Sequence, residues 1–454
     1  MEKRHFYLIG IGGIGMQAVA RLLRDAGAKV SGSDMKDFDS RPDLEAEGIE
    51  VHIGHDEKYV TDDVTEVVYS IAVPKSNPEI MKAQELGLPI RRRLELVGEL
   101  MENKNGIAIA GTHGKTTTTT MLAMMFEAAG NHPTALIGAE VRSLKSNVLL
   151  GRGNDFIVEA CEYGKSFLDL KPRIVVLTNI EPDHLDFFTD FDDIKDTFEK
   201  FINLLPEDGL VVANGDDEVV REVVGRTNKR VVWAGLNEGN DYRAENLKFS
   251  EGRMHFSVNG TESYLQLPGK HNVSNAVLAW AVARENGIDS ATLQHVLEDE
   301  FNGLARRFEI IGSSMGVTFV DDYAHHPTEI QAMLEGARQY FPSRKLVVVF
   351  HPHQFSRTRI LLDGFAESFN DADRVIVAPI YAVRDTEEDK QSVNSKILVE
   401  EINKHSNNAE FIGDFDAIED RLIDELVAGD VVITMGAGEA DVFGQELLAK
   451  LRNK

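Results

Sequence analysis

One cysteine and two tryptophans among 454 residues exclude several architectures at once. A single thiol cannot build an internal disulfide framework, and it fits a reducing compartment, so a cytoplasmic protein is expected. Long apolar runs are absent too. The longest without glycine spans residues 276–283, eight positions, far short of a membrane crossing. Basic charge is scarce: 48 Lys and Arg face 75 Asp and Glu, for a formal charge of −27. Such a chain has no basic footprint for nucleic acid or an anionic bilayer, and neither partner is expected. If its ligands are anionic, the sites must reverse the sign locally with Arg, Lys, backbone N–H groups or metal ions. What remains is ordinary for a soluble globular chain, 43% apolar and 27% charged. At about 150 residues per domain, the length suggests roughly three domains.

Short β-rich runs at 6–9, 67–70, 107–110, 174–178, 345–350, 375–378 and 431–435 alternate with amphipathic stretches such as 16–26 and 117–129. This alternation predicts an α/β protein of parallel sheets and crossover helices. Turn-rich segments at 101–106 and 310–316 divide it into 1–105, 106–312 and 313–454, and a further β-rich stretch runs over 243–267.

Gly10-Ile11-Gly12-Gly13-Ile14-Gly15 follows the first strand and opens a helix. Glycines there permit a tight turn and let backbone amides approach a diphosphate. Asp34 ends the next strand, where dinucleotide folds keep a ribose-binding acid. NAD(P) and another diphosphate ligand both satisfy this motif. A second loop decides more. Gly111-Thr112-His113-Gly114-Lys115-Thr116-Thr117 joins a strand to a helix in the manner of a phosphate loop. Its amides curl around phosphate, Lys115 neutralises the β/γ oxygens, and the Thr116 hydroxyl reaches Mg²⁺. Ile109 replaces the first glycine of the usual pattern, yet the reading as a nucleoside triphosphate site stands.

Glu159 and His184, each after a β-rich run, suit divalent-metal ligation near that loop. The plainer alternative is a helix N-cap for Asp183 and a surface histidine for His184, and Cys161 reads as a small buried hydrophobe rather than a nucleophile. Further along, residues 269–275, Arg306-Arg307, Asp321 to Pro327 and His351 to Arg359 gather charged and imidazole groups at strand ends. Arg91-Arg92-Arg93 divides evenly between a substrate-facing patch and a solvated face.

Taken together these motifs resemble the Mur ligase family, the ATP-dependent amide-forming enzymes of peptidoglycan precursor synthesis. The resemblance covers the whole chain and implies an N-terminal Rossmann-like domain for a UDP-sugar, a central P-loop ATPase domain with a mostly parallel sheet, and a C-terminal Rossmann-like domain for an amino acid. Gly-Ile-Gly-Gly-Ile-Gly-Met16, the loop with His113, Asp-Asp-Tyr-Ala-His-His-Pro-Thr328 and Pro352-His353 point within the family to members that join L-alanine to UDP-N-acetylmuramate. ATP and Mg²⁺ are then the implied cofactors, and a monomer or homodimer the implied assembly. The resemblance puts Gly12, Gly13, Ile14, Gly15, Asp34 and Ser70 on the UDP-sugar. It puts Gly111 to Thr117 on the ATP phosphates, with His271, Asn272 and Asn275 around adenine and ribose and Arg307 and Asp322 closing on the nucleotide. Thr116, Glu159 and His184 would organise magnesium, while Tyr323, His325, His353 and Arg357 would form the L-alanine end. Lys115, His184 and His325 are the implied catalytic groups, with His325 as base or amine-positioning residue.

Two departures stand out. Many relatives carry Asp where Cys161 stands, so Glu162 is a candidate substitute. Glu199, beside Lys200, occupies the register where some relatives use a carbamylated lysine. Rival readings are the sister ligase that attaches a recycled murein tripeptide to the same nucleotide sugar and, more remotely, an NAD-dependent oxidoreductase.

Overall fold

A parallel strand buried on both faces must be apolar nearly throughout. His5–Ile9, Asn105–Ala110, Ile174–Leu177 and Val431–Met435 have that composition, and all are buried almost end to end. In the computed structural model, which describes residues 4–141, 146–185, 187–383 and 385–453, they lie inside three sheets. The chain forms two compact units. One comprises Met1–Pro182, Asp190–Ala244 and Ser274–Phe301; the other comprises Asp183–Thr189, Glu245–Val273 and Asn302–Lys454.

The first unit contains a five-stranded parallel sheet in the order Glu50–Ile53, Lys29–Asp34, His5–Ile9, Glu66–Tyr69, Ile90–Arg92. Chain order reverses on either side of His5–Ile9. The glycine-rich loop leaving that strand therefore opens at a topological switch point, where open α/β sheets bind ligands. In the same unit Asn105–Ala110 is flanked by Ile174–Leu177 and Asp155–Glu159, both parallel to it. Leu210–Asn214 and Arg230–Gly235 extend one side, and Thr134–Val141 extends the other. The phosphate loop thus leaves the middle of a buried sheet.

The second unit contains the hairpin Arg253–Val258 with Thr261–Leu265 and a six-stranded sheet. The sheet's order is Glu309–Ser314, Val317–Asp322, Val431–Met435, Leu346–Phe350, Arg374–Val377, Ala409–Glu410, and only its first strand runs antiparallel. Phe319, Val347, Val349, Val432 and Phe443 belong to its core. Three adjacent strands deliver the loops after Asp322, Phe350 and Met435 to one edge.

Threonine is a poor helix former because its branched Cβ restricts χ1. Thr116 to Thr120 are nevertheless helical within Lys115–Ala128, and all five are buried. The Thr119 and Thr120 hydroxyls donate to the carbonyls of Lys115 and Thr116, each at 2.8 Å. Burial with a local acceptor overrides propensity. Among the described residues no helix is long and apolar enough to cross a membrane.

Gly32 sits where the first sheet has no spare room: a Cβ there would stand 2.3 Å from the Leu8 carbonyl oxygen of the paired strand. We expect Gly32→Ala to cost about 1–3 kcal/mol in urea unfolding. An unchanged midpoint would show that the central strand pair yields without penalty.

Candidate active site

The phosphate loop owes its shape to two glycines with positive φ, Gly111 at 137° and Gly114 at 78°. Close neighbours fill the space a side chain would need. A Cβ on Gly111 would lie 2.0 Å from Thr178 Oγ1, and one on Gly114 would lie 2.3 Å from Asn275 Oδ1. Asn179 braces the loop from behind, its carbonyl accepting from the Thr112 amide at 3.0 Å and its Oδ1 from the His113 amide at 2.8 Å. Thr178 Oγ1 and Asn179 Nδ2 donate to the His113 carbonyl at 2.5 and 3.2 Å. With the Thr112 and His113 amides so engaged, the phosphate-facing amides are those of the first helical turn, which lack intrahelical acceptors. The His113 imidazole stands 3.6 Å from the Glu181 carboxylate.

Lys115 turns back on its own loop. Its ammonium donates to the carbonyls of Gly111 and Thr112, the latter at 2.9 Å, and pairs with Glu162 at 3.0 Å. Burial opposes its charge, but Glu162, Cys161 and Glu159 outweigh that effect and raise its pKa. Glu162 is therefore the buried counter-ion of Lys115. Cys161 is only partly buried, so it is not the fully buried hydrophobe expected, and its thiol is pushed up to about 11, first by burial and then by Glu162. Glu159 has one oxygen fixed by the Gly138 amide at 2.9 Å, where a Cβ on Gly138 would strike the carboxylate. An anchored carboxylate and the Thr116 hydroxyl are hard oxygen donors of the kind Mg²⁺ takes. Both belong to the first unit; His184 belongs to the second.

At the glycine-rich loop the Gly12 amide donates to Asp34 Oδ2 at 2.9 Å, and the Gly13 amide to the Gly10 carbonyl at 3.2 Å. Phe38 lies over Gly12, and Ser70 lies beside Gly10. Gly13 caps the helix Ile14–Asp25 without a side-chain bond. Structure separates the three arginines that sequence left together. Arg91 pairs with Glu66 and Glu99, and Arg92 pairs with Asp169 at 2.6 Å. Arg93 packs against Gly15, with its pKa lowered by burial against the opposing influence of Cys161 and Glu159.

In the second unit the dispersed cluster converges. Asp183 is not a helix cap; its Oδ1 accepts from Arg357 Nε and Nη2 at 3.2 and 3.0 Å and from the His184 amide at 2.7 Å. Both partners are nearly buried, with side chains 10% and 7% exposed. Burial alone would raise the Asp183 pKa, but His184, Arg357 and His325 drive it well below the usual carboxylate range. Arg357 Nη1 also meets His353 Nδ1 at 3.2 Å. The His325 ring lies 5.1 Å from Tyr323 and 6.3 Å from His353. His325 Nδ1 faces the Tyr323 carbonyl at 3.0 Å, and a carbonyl only accepts, so Nδ1 carries the proton and Nε2 presents the lone pair. Burial holds this imidazole near pKa 4.

Glu329, absent from the sequence expectations, approaches His325 Nδ1 at 3.3 Å and Arg307 at 3.9 Å. Its i+4 spacing from His325 was the available signal. Arg307 also lies over the Tyr323 ring. Asp322 accepts the Phe308 and Ala324 amides at 2.7 and 2.8 Å, and burial pushes its pKa up to about 6. His271, exposed, packs on Gly269, while the buried Asn272 donates through Nδ2 to the Pro268 carbonyl at 2.7 Å.

The chain is similar to three family models in succession: "Mur ligase family, catalytic domain" over 5–105, "Mur ligase middle domain" over 109–283 and "Mur ligase, glutamate ligase domain" over 306–438. It is 42% identical to the UDP-N-acetylmuramate–L-alanine ligase of Caldanaerobacter subterraneus subsp. tengcongensis, across 99% of this chain and 98% of that protein. Among solved structures, the UDP-N-acetylmuramate–alanine ligase of Thermotoga maritima superposes with a TM-score of 0.83 at 28% identity, covering 99% of each chain. A murein peptide ligase of Psychrobacter arcticus gives 0.72 at 25% identity, again over 99% of each.

Acid should weaken this arrangement. His325 and His351 have folded pKa values near 4 against 6.5 for the free imidazole, so between those values the unfolded chain binds the extra protons. Their contribution is complete above about pH 6.5 and is lost as pH falls towards 4. Asp322 acts oppositely between 3.8 and about 6, as do Asp169, Asp217 and Asp321, whose pKa values burial also raises, while His5, lowered by burial, acts with the two imidazoles. We expect urea-unfolding stability to drop on acidification from pH 7 to 4.5. His351→Asn should flatten that slope by up to about 1.4 kcal/mol per pH unit; an unaltered slope would mean that His351, buried at 4% exposure, is not held neutral.

Proposed function

The chain belongs to the Mur ligase family, and from that membership we propose that it joins L-alanine to the lactyl carboxylate of UDP-N-acetylmuramate, converting ATP to ADP and phosphate, in peptidoglycan precursor synthesis. What carries the reading is likeness along the whole length to enzymes of that reaction, rather than likeness of one domain. Use of ATP and a nucleotide sugar sets the reaction in the cytoplasm, and a single unpaired thiol fits that setting.

A carboxylate is a poor acyl donor because oxide would have to leave. Transfer of the γ-phosphoryl group to it makes an acyl phosphate, whose leaving group is phosphate. Two anions must meet for that step, so their charge has to be neutralised locally. Gly111 to Thr117 hold the triphosphate, and Lys115 exchanges part of its bonding to Glu162 and the loop carbonyls for phosphate oxygens. Glu162 keeps the ammonium charged and aimed while the site is empty of anion. Thr116 and Glu159 would hold a magnesium ion, which when bound screens the like charges of phosphate and carboxylate. By family likeness, His271, Asn272 and Asn275 would serve the adenine and ribose side, and Arg307 and Asp322 the nucleotide.

The amine of L-alanine then attacks the acyl carbon and phosphate departs. Arg357, fixed by Asp183 and His353, supplies positive charge for the amino acid's carboxylate. His325 offers the Nε2 lone pair, and at a pKa near 4 it accepts a hydrogen bond without retaining the proton. Its part is to orient the amine beside Tyr323. Alanine presents one methyl group for recognition, worth about 1–3 kcal/mol against glycine, so slow turnover of glycine or serine is expected.

Phosphate release should require UDP-N-acetylmuramate and L-alanine together, and murein tripeptide should not replace L-alanine. Lys115→Ala should lower kcat about 10²- to 10³-fold, and full turnover by that variant would remove Lys115 from the chemistry. Separately, Arg357→Lys should raise KM for L-alanine while leaving KM for ATP unchanged. A rise in both would detach Arg357 from the amino acid.

A further inference from the structure

Asn147 lies in Ser146–Leu150, the edge strand of the first unit's larger sheet, and is buried at 5% exposure. Its side chain grips the helix that leaves the glycine-rich loop. Asn147 Nδ2 donates to the Ile14 carbonyl at 2.6 Å, and Oδ1 accepts from Arg21 Nη1 at 3.0 Å. A carbonyl only accepts and a guanidinium only donates, so one orientation of the amide satisfies both. Ile14 and Arg21 stand at i and i+7 of the helix Ile14–Asp25, hence on one face. Glu47 holds Arg21 in turn, at 2.9 Å. Two grips on one face oppose both sliding and rotation of the helix.

The same hairpin reaches the candidate metal carboxylate through its other strand. Ser146–Leu150 pairs antiparallel with Thr134–Val141, which pairs on its far side with Asp155–Glu159. The hairpin register shifts between Leu136 and Val141, and Gly138 lies inside that shift. Such an irregularity releases backbone groups from the ladder and re-aims them. Here the Gly138 amide donates to Glu159 Oε2 at 2.9 Å. A Cβ on Gly138 would stand 2.3 Å from that oxygen, so a larger residue would push the carboxylate aside. One strand of the hairpin thus fixes the glycine-loop helix, and the other fixes Glu159.

We propose that Asn147 is a positioning residue for acyl-phosphate formation, setting the glycine-rich loop against the phosphate loop so that the lactyl carboxylate meets the γ-phosphate. The inference rests on the nucleotide-sugar reading and adds what aligns two loops that leave separate sheets. Asn147 acts through the Ile14 carbonyl and the hairpin, not by touching the reacting atoms. Displacing one reactant by about 1 Å costs up to about a hundredfold in rate. Loss of the grip therefore leaves each loop able to bind its own ligand and removes their registration.

The test uses the full chain as wild type, Asn147→Ala and Asn147→Asp. The aspartate keeps the shape and the acceptor for Arg21 but has no donor for the Ile14 carbonyl. Single-turnover ATP cleavage is followed with Mg²⁺, UDP-N-acetylmuramate and L-alanine, so that product release cannot mask the chemical step. Calorimetry gives the separate affinities for UDP-N-acetylmuramate and for a non-hydrolysable ATP analogue. We expect the rate constant to fall about ten- to a hundredfold in both variants, while both affinities and the unliganded melting temperature hold. A rate constant that holds in either variant would overturn the proposal. A slower reaction accompanied by loss of both affinities and a lower melting temperature would also overturn it, making Asn147 a structural clamp. If Asn147→Ala does not fold, Asn147→Asp carries the same comparison. Wild type that cleaves no ATP with all substrates present would refute the nucleotide-sugar reading itself, and the proposal with it.

Discussion

An acidic chain that must bring a triphosphate and a carboxylate together has to concentrate positive charge where its own composition opposes it. The remainder of the site follows from that constraint. In the first unit Lys115 is kept charged and aimed by Glu162 and two loop carbonyls; in the second, Arg357 is held by Asp183, and Arg307 faces Glu329. These carboxylates do not cancel the site. They lower the cost of holding a buried cation while leaving donor groups that an incoming anion can claim.

Part of the backbone strain falls at the same places, in four of the twelve described non-glycine residues with positive φ. Beyond the glycines, His184, Arg306, Phe308 and Gln354 have positive φ. Each adjoins or belongs to a loop that carries candidate site residues, and a non-glycine residue in that region persists only where its surroundings hold it. At Arg306 the hold is visible: its guanidinium bonds Asp321 and the Gly436 carbonyl, tying together the loops after two adjacent strands. The imidazoles of the second unit are subject to the same logic. Burial keeps His325 and His351 neutral, so they present lone pairs rather than further charge.

The fold was legible because a buried parallel strand cannot conceal its composition. The run expected at 431–435 is the strand Val431–Met435, and those expected at 67–70 and 375–378 are Glu66–Tyr69 and Arg374–Val377. The edges differ because strand ends are set by hydrogen-bonded neighbours. Both glycine loops were legible for a related reason: a strand–loop–helix junction that cradles phosphate needs glycine at fixed places, and the need is local. The threonine run was less so, since its helicity depends on burial.

Sequence by itself determined the sheets, the two phosphate-type loops and the family, because these depend on periodicity and on short contiguous motifs. It could not decide which of Arg91, Arg92 and Arg93 is solvated, whether Asp183 caps a helix, or what Glu162 does beside Cys161. Several of those roles depend on distant partners: Lys115 lies 47 positions from Glu162, and Arg357 lies 174 from Asp183. A charged side chain takes its function from whichever opposite charge the fold brings within hydrogen-bonding distance, and that choice is made only in three dimensions.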